Sequence, residues 1–255
     1  MSLELLSKKN CHERDKNLIF YEETHIYIIK TDPKSKYTSV TTCVHNQFEK
    51  FNSDKIIDNM INSKKWKTNK YYGMTRQQIK NGWNENKNNA AEQGTKLHYN
   101  IECFYNKCYN SIETATNIEY KYFKNFYKDF SDLEPYRTEW MIYDEDNKLA
   151  GSVDMIFKNP NGSLQIYDWK RCKEISKTNN WNKYSINNKI DYIPDTNYWH
   201  YCLQLNTYKY ILETKYGKKV SDMYLVVLHP NNTNNNYKRI KVCDLQAEIK
   251  AIIHK

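Results

Sequence analysis

Two short apolar segments joined by a strong turn signal constrain the fold of this chain more than any other feature. Residues 153–157 and 164–168 both alternate between apolar and polar side chains as β-strands do. The residues between them, 159–162 (Asn-Pro-Asn-Gly), are typical of a tight turn. The pattern predicts a β-hairpin, which would bring Asp154 and Asp168 into one small space.

These two carboxylates and a neighbouring lysine point to metal-assisted hydrolysis of a phosphodiester. Asp154 and Asp168 can hold a divalent metal ion, and the ammonium group of Lys170 can polarise a water molecule. The Asp/Glu-x-Lys pattern recurs by chance in a chain so rich in lysine, for example at Asp32. Asp168 differs because it ends an apolar strand and has a second aspartate on a preceding strand, so the context carries the prediction.

Charge and aromatic content favour a nucleic acid as the partner. The formal net charge of +9 attracts polyanions, although a solvated basic surface would give the same total. The 23 Tyr and 6 Trp residues can stack on unpaired bases while lysines follow the backbone. Basic and aromatic residues are interleaved at 64–83, which favours a single-stranded substrate.

The chain shows no sign of a membrane or secreted protein. No apolar run approaches the length of a membrane span, and residues 1–10 lack an apolar signal core. Seven cysteines are scattered without CxxC pairs, which predicts reduced thiols and an intracellular location.

Periodicity along the chain predicts an α/β or α+β fold with a mixed sheet. A hairpin is expected at 17–30, and a β-branched segment follows at 37–44. Helices are expected at 48–61, 76–105 (N-capped by Thr75 and with a possible break near Gly82), 118–130, 198–216 and 244–254. Strands are expected at 136–143, 149–157, 164–170, 223–229 and 237–242, with a long polar loop at 174–196. We divide the chain into an N-terminal hairpin and helical DNA-binding region (1–90) packed on a core (91–255).

Two predicted helices carry further candidate residues. Gly94, His98 and Glu102 are four residues apart and form a row on one helix face, where His98 could ligate a metal. A histidine making an ordinary hydrogen bond is the simpler interpretation of this row. Gln204 and Tyr208 form a similar pair, which could bind a phosphate or hold Lys170, or could be the polar stripe of an amphipathic helix.

Four segments occur in the order typical of RecB-like nucleases of the PD-(D/E)XK superfamily. They are GTKLH at 94–98, GSVD at 151–154, DWK at 168–170 and QLNTY at 204–208. Over about residues 90–230 the chain resembles mitochondrial genome maintenance exonucleases and related viral proteins. The resemblance implies a restriction-endonuclease-like core, with a mixed central sheet flanked by helices and an N-terminal, mostly helical region.

The resemblance also implies roles for individual residues. The metal ligands would be His98, Asp154, Asp168 and the backbone carbonyl of Trp169, and Lys170 would orient the attacking water. Glu102, Gln204 and Tyr208 match supporting positions, and Glu139 matches an acidic residue often present there, although a surface role is equally compatible. The metal would be Mg²⁺ or Mn²⁺. No iron–sulfur cluster is expected, because Cys243 is the one cysteine beyond Cys202.

These features together predict a metal-dependent DNA exonuclease acting on the ends of single strands. Arg171 and Lys173 could contact phosphates, the helices before His98 could arch over the site, and the loop at 174–196 could grip the strand. A structure-specific endonuclease and a catalytically inactive nucleic-acid-binding protein remain alternatives. Proteins of DNA replication, recombination or repair are compatible partners.

Overall fold

The computed structural model describes residues 3–112 and 117–253. In chain order its elements are α1 (Leu5–Lys9), β1 (Leu18–Tyr21), β2 (Ile26–Ile29), β3 (Thr38–Ser39), α2 (Val40–His45), α3 (Ser53–Ile61), α4 (Arg76–Tyr105), α5 (Ile118–Asp129), β4 (Glu134–Asp144), β5 (Leu149–Lys158), β6 (Leu164–Lys170), α6 (Asn197–Lys215), β7 (Val220–Val227), β8 (Lys238–Lys241) and α7 (Gln246–Ile253). The last predicted helix extends to residue 254, which lies outside the described residues.

A mixed sheet forms the centre of the fold. Within the described residues it contains six strands: β5 pairs antiparallel with β4 and β6, β6 pairs parallel with β7, and β8 closes one end antiparallel to β7. The short β3 pairs parallel with the first residues of β5. The predicted mixed α/β architecture, with a mixed sheet flanked by helices, is confirmed.

Apolar side chains on the two sides of the sheet belong to different clusters of the described core. One cluster joins α2, α6 and α7 to the sheet and includes the fully buried Leu203 and Ile211. The other joins α4 and α5 to the opposite side, where Phe123 and Phe126 pack against Trp169. Because helices cover both sides, the central strands are buried almost throughout.

The predicted hairpin is confirmed as β5 and β6. Met155 lies opposite Tyr167, and the strands are joined by a turn in which Gly162 has a φ of +82°. This left-handed conformation favours glycine, since other residues meet a Cβ clash there. The side chain of Asn161 accepts hydrogen bonds from the backbone and hydroxyl of Ser163 and so fixes the turn.

Helix α4 begins as predicted but does not break. The Thr75 side chain accepts a hydrogen bond from the Gln78 amide, and the Gln78 side chain caps the Thr75 amide in return. The break considered near Gly82 is wrong, because the 30-residue helix continues through it. Glycine costs only ~1 kcal/mol relative to alanine in a helix, and Ile79 and Leu97 anchor α4 in the protein on either side.

Local capping shifts two other boundaries. The β-branched segment 37–44 is a strand only at β3, because Ser39 then caps α2 by accepting a hydrogen bond from Thr42. The helix predicted from residue 48 begins at Ser53, where Asn52 caps α3. The segment 174–196 contains no helix or strand, as predicted, apart from one bridge between Tyr184 and Pro194. Among the described helices, none has both the length and the apolarity needed to cross a bilayer.

Candidate metal and phosphodiester site

Glu139 on β4 and Asp154 on β5 occupy facing positions in the sheet. They lie between the pairs Thr138–Met155 and Trp140–Val153, which are in the same register; the register shift of these two strands lies between Pro135 and Arg137. Glu139 has a φ of +41°, which is rare for a residue with a side chain. Val153 and Met155, on either side of Asp154, pack in different clusters, although alternation would place them on one side. Backbone strain such as the positive φ of Glu139 is concentrated at functional sites.

Helix α4 brings His98 against both of these acids. Its Nδ1 atom lies 3.5 Å from Asp154 Oδ2 and 3.6 Å from Glu139 Oε1. Its Nε2 atom lies 2.9 Å from the backbone carbonyl oxygen of Trp169, to which it donates when protonated. Burial lowers the pKa of His98, but the two carboxylates outweigh burial and raise it to about 9.

The two aspartates of the hairpin are held differently. The backbone N–H of Trp169 donates to Asp154 Oδ2 over 2.9 Å. Asp168, which is 2 % exposed, places Oδ2 at 2.6 Å from the Lys170 ammonium. Its Oδ1 atom is buried and has no hydrogen-bond partner among the described residues. An unsatisfied buried carboxylate oxygen is costly unless a cation or donor completes it.

Burial, and after it the crowding of carboxylates, raises the pKa of several acidic side chains. Burial, then the charge of Asp154, raises the pKa of Asp168 to about 6 despite Lys170. Burial and the charge of Glu139 raise the pKa of Glu102 to about 7. The pKa of Lys170 is also raised, because Asp168 and Asp154 outweigh the opposing effect of burial. A site that accumulates negative charge in this way favours a bound cation.

Helix α6 contributes Tyr208 and Gln204 to the site. The Gln204 amide donates to the hydroxyl of the buried Tyr208 over 3.1 Å. Burial raises the pKa of Tyr208 well above its usual value, and the charges of Asp154 and Asp168 raise it further. A Cβ at Gly151 would lie 2.8 Å from Tyr208 Cε1, so glycine is what allows α6 to approach β5 this closely. A Cβ at Gly94, by contrast, would meet no other element of the described protein within 4 Å.

The structure groups the predicted metal ligands only partly as expected. Ligand atoms of His98, Glu139 and Asp154 all lie within 4.8 Å of one another. Glu139, which the sequence left open, therefore belongs to the group. Asp168 is instead paired with Lys170, and the carbonyl oxygen of Trp169 is bonded to His98. Glu102 lies close enough to Glu139 and His98 for their charges to influence its pKa.

A cleft of about 340 Å³ gives access to Lys170. Residues of α2 form one wall, and Asn197, Tyr201 and Gln204 of α6 form the other. The Lys170 ammonium lies 4.5 Å from the centre of the Tyr201 ring, within the range of a cation–π contact. The cleft is therefore large enough to admit a phosphate-sized group beside the Lys170 ammonium.

Sequence reasoning missed three residues that support the site. Ser152 donates to Glu139 Oε2 over 2.9 Å, and Tyr27 lies close enough to Glu139 for its charge to raise the tyrosine pKa, after burial. Tyr201 holds Lys170 as described. Tyr201 lies three residues before Gln204, a spacing that places both side chains on one face of a helix, so the sequence could have identified it. No sequence pattern connects Tyr27 to Glu139, because they belong to distant segments.

Of the residues predicted to contact DNA, some are exposed to solvent and others are already bonded to another side chain. The Arg171 guanidinium donates to Glu119 over 2.8 Å and is occupied, whereas Lys173 is exposed. Much of the 64–83 stretch is exposed, and the Trp83 indole there donates to the Tyr71 hydroxyl. Trp181 in the long loop is 79 % exposed.

Comparison with known proteins adds no assignment. No protein-family model matches the chain, and no curated protein is significantly similar to it.

Proposed function

We propose that the protein is a metal-dependent nuclease of the PD-(D/E)XK type that hydrolyses DNA from the ends of single strands. One observation carries the proposal: Asp154, Asp168 and Lys170 lie together with His98 and Glu139, and Lys170 also lines an open cleft. Three acids, a histidine and a lysine in one cluster are residue types that can support metal-assisted hydrolysis of a phosphodiester.

The donor set fits a hard divalent cation. His98, Glu139 and Asp154 would hold it, and the unpartnered Oδ1 of Asp168 offers a further oxygen ligand nearby. When bound, Mg²⁺ or Mn²⁺ would lower the pKa of a water molecule and neutralise charge on the phosphate. The excess of carboxylates over cations in the cluster is the electrostatic reason for a metal here.

The remaining side chains position the reacting groups. Lys170 places a fixed positive charge at the cleft, where it can orient a water molecule and attract the scissile phosphate. Asp168 and the Tyr201 ring restrict this ammonium from two sides. The carbonyl of Trp169 fixes the His98 ring, and the Trp169 amide fixes Asp154, so one residue of β6 aligns two candidate ligands.

The preference for strand ends comes from the resemblance to RecB-like exonucleases, and the preference for unpaired DNA is supported by exposed aromatic and basic residues. A structure-specific endonuclease would use the same chemistry. A closed circular single strand separates these functions, since an exonuclease requires an end.

Cleavage of end-labelled linear and closed circular single strands tests the proposal. Wild-type protein should shorten the linear strand in Mg²⁺ or Mn²⁺, leave the circle intact and stop when EDTA is added. Lys170→Met should reduce the rate by at least 100-fold, in line with the loss of a group that acts on the transition state.

Lys158→Met is the matched control. Lys158 is the last residue of β5, four residues and about 13 Å along the strand from Asp154, and this variant should cleave like the wild type. Full activity of Lys170→Met, or cleavage that continues in EDTA, would overturn the proposed mechanism. Linearisation of the circle would replace the exonuclease with an endonuclease.

A further inference from the structure

A second cavity lies beside the cleft. It measures about 440 Å³ and shares His45 and His200 with the cleft that contains Lys170. Its other walls come from the segment between α2 and α3, from α3 itself and from the loop before α6. Sites for small organic molecules occupy roughly 300–1,000 Å³, so the cavity can accommodate one nucleotide-sized group.

Aromatic rings form the inner surface of this cavity. The rings of Phe48 and His200 pack face against face, with centroids 4.0 Å apart and planes inclined by 33°. Phe48 is buried beneath this contact, so His200 is the more accessible ring of the pair. Phe51 at the rim is 73 % exposed and lies edge-on to Trp83. A large aromatic ring that is mostly in water leaves apolar area available for a ligand ring.

Polar groups surround the aromatic surface. Lys55 and Lys183 both bond to Glu49, over 3.1 Å and 2.8 Å, and Lys50 also lines the cavity. Asp195 is bonded to His200 over 2.9 Å, and this contact fixes the ring. Three lysines against two carboxylates leave the lining net positive, apart from its histidines. The combination of a ring surface with a cationic rim matches a base attached to a phosphate.

Helix α6 sets the distance between the cavity and the reacting centre. His200 lines the cavity, and Gln204, one turn further along α6, lines the cleft beside Lys170. Four residues of helix correspond to about 6 Å. Neighbouring nucleotides of a single strand can span this separation.

We infer that this cavity binds one unpaired nucleotide next to the scissile phosphate, with its base packed against the rings of Phe51 and His200. The inference rests on the proposed function, because that function places the scissile phosphate at Lys170. A base within a duplex is covered on both sides by its neighbours and would have to leave the stack to enter. The subsite would therefore select single-stranded DNA.

A short single strand that carries 2-aminopurine near one end tests the inference. The fluorescence of this base falls when it stacks, so titration with wild-type protein in Ca²⁺ should quench it. Stacking on one aromatic side chain is worth ~1–3 kcal/mol per base. Phe51→Ala should therefore weaken binding by about 5- to 150-fold at about 1.4 kcal/mol per tenfold. Because Phe51 is mostly exposed, its removal should leave the fold intact.

Tyr109→Ala is the control, since Tyr109 is an exposed aromatic residue that lies outside both the cavity and the cleft. It should bind like the wild type. Unchanged fluorescence on binding, unchanged affinity of Phe51→Ala, or equal weakening by both variants would overturn the subsite. Cleavage of the same strand in Mn²⁺ is measured separately: absent cleavage with intact quenching would reject the nuclease proposal and leave the subsite standing.

Discussion

Gly151→Ala should destabilise the protein because β5 and α6 touch at this position. An added Cβ would lie 2.8 Å from Tyr208 Cε1 and 3.3 Å from both the Tyr208 hydroxyl and Val40 Cγ2. Non-bonded carbons prefer separations of about 3.5–4.0 Å, so Tyr208 would have to move by roughly 1 Å. Tyr208 is fully enclosed and bonded to Gln204, so it cannot move into solvent.

Overpacking of this kind costs ~1–3 kcal/mol. Urea unfolding followed by tryptophan fluorescence would measure the free energy of unfolding of the wild type, Gly151→Ala, Tyr208→Leu and the double variant. Leucine lacks the atom that the new methyl group would meet. The cost of Gly151→Ala should therefore fall by ~1–2 kcal/mol in the Tyr208→Leu background, within the range of coupling between residues in contact. A cost below about 0.5 kcal/mol, or the same cost in both backgrounds, would refute the reasoning.

Two further substitutions probe other parts of the structure. Phe126→Ala removes a fully buried ring that contacts Tyr167 and Trp169. We expect urea unfolding to show that the free energy of unfolding falls by ~3–5 kcal/mol. A fall of less than about 1 kcal/mol would contradict this packing. Hydrogen bonds from Arg14 hold the pKa of Glu145 below its usual value. The pair therefore stabilises the protein at pH values above the pKa that Glu145 has in the unfolded chain. This stabilisation is lost as the pH falls through the lower pKa of Glu145 in the folded protein. Glu145→Gln should lower the thermal midpoint at pH 7 by an amount worth less than ~1 kcal/mol, because the pair is partly exposed. The effect should be smaller at pH 3, where more of Glu145 is protonated, and an equal difference at both pH values would exclude this contribution.

The sequence predicts the elements of the site better than their detailed contacts. Alternation and turn chemistry were sufficient for the β5–β6 hairpin, and helical spacing was sufficient to place His98 and Glu102 on one helix. Glu139 could not be assigned, because its inclusion depends on a positive φ and on the exact pairing of β4 with β5. Neither property has a local signal in the sequence.

Tertiary packing explains the other differences. Gly82 resembles a helix breaker in isolation, but the capping box and the buried residues on either side keep α4 continuous. The pairing of Asp168 with Lys170, two residues along one strand, depends on side-chain rotamers. The cavity beside the cleft is also invisible in the sequence, because its walls come from segments about 150 residues apart.

The central claim is that the cluster of His98, Glu139 and Asp154 binds a divalent metal ion. Calorimetric titration with Mn²⁺ tests it directly, with Asp154→Asn as the variant and Asp222→Asn as a matched control on β7, outside the cluster. We expect the wild type and Asp222→Asn to bind Mn²⁺ alike and Asp154→Asn to lose at least tenfold in affinity, with circular dichroism confirming that all three are folded. A wild type that binds no Mn²⁺, or an Asp154→Asn variant that binds as tightly, would contradict the account.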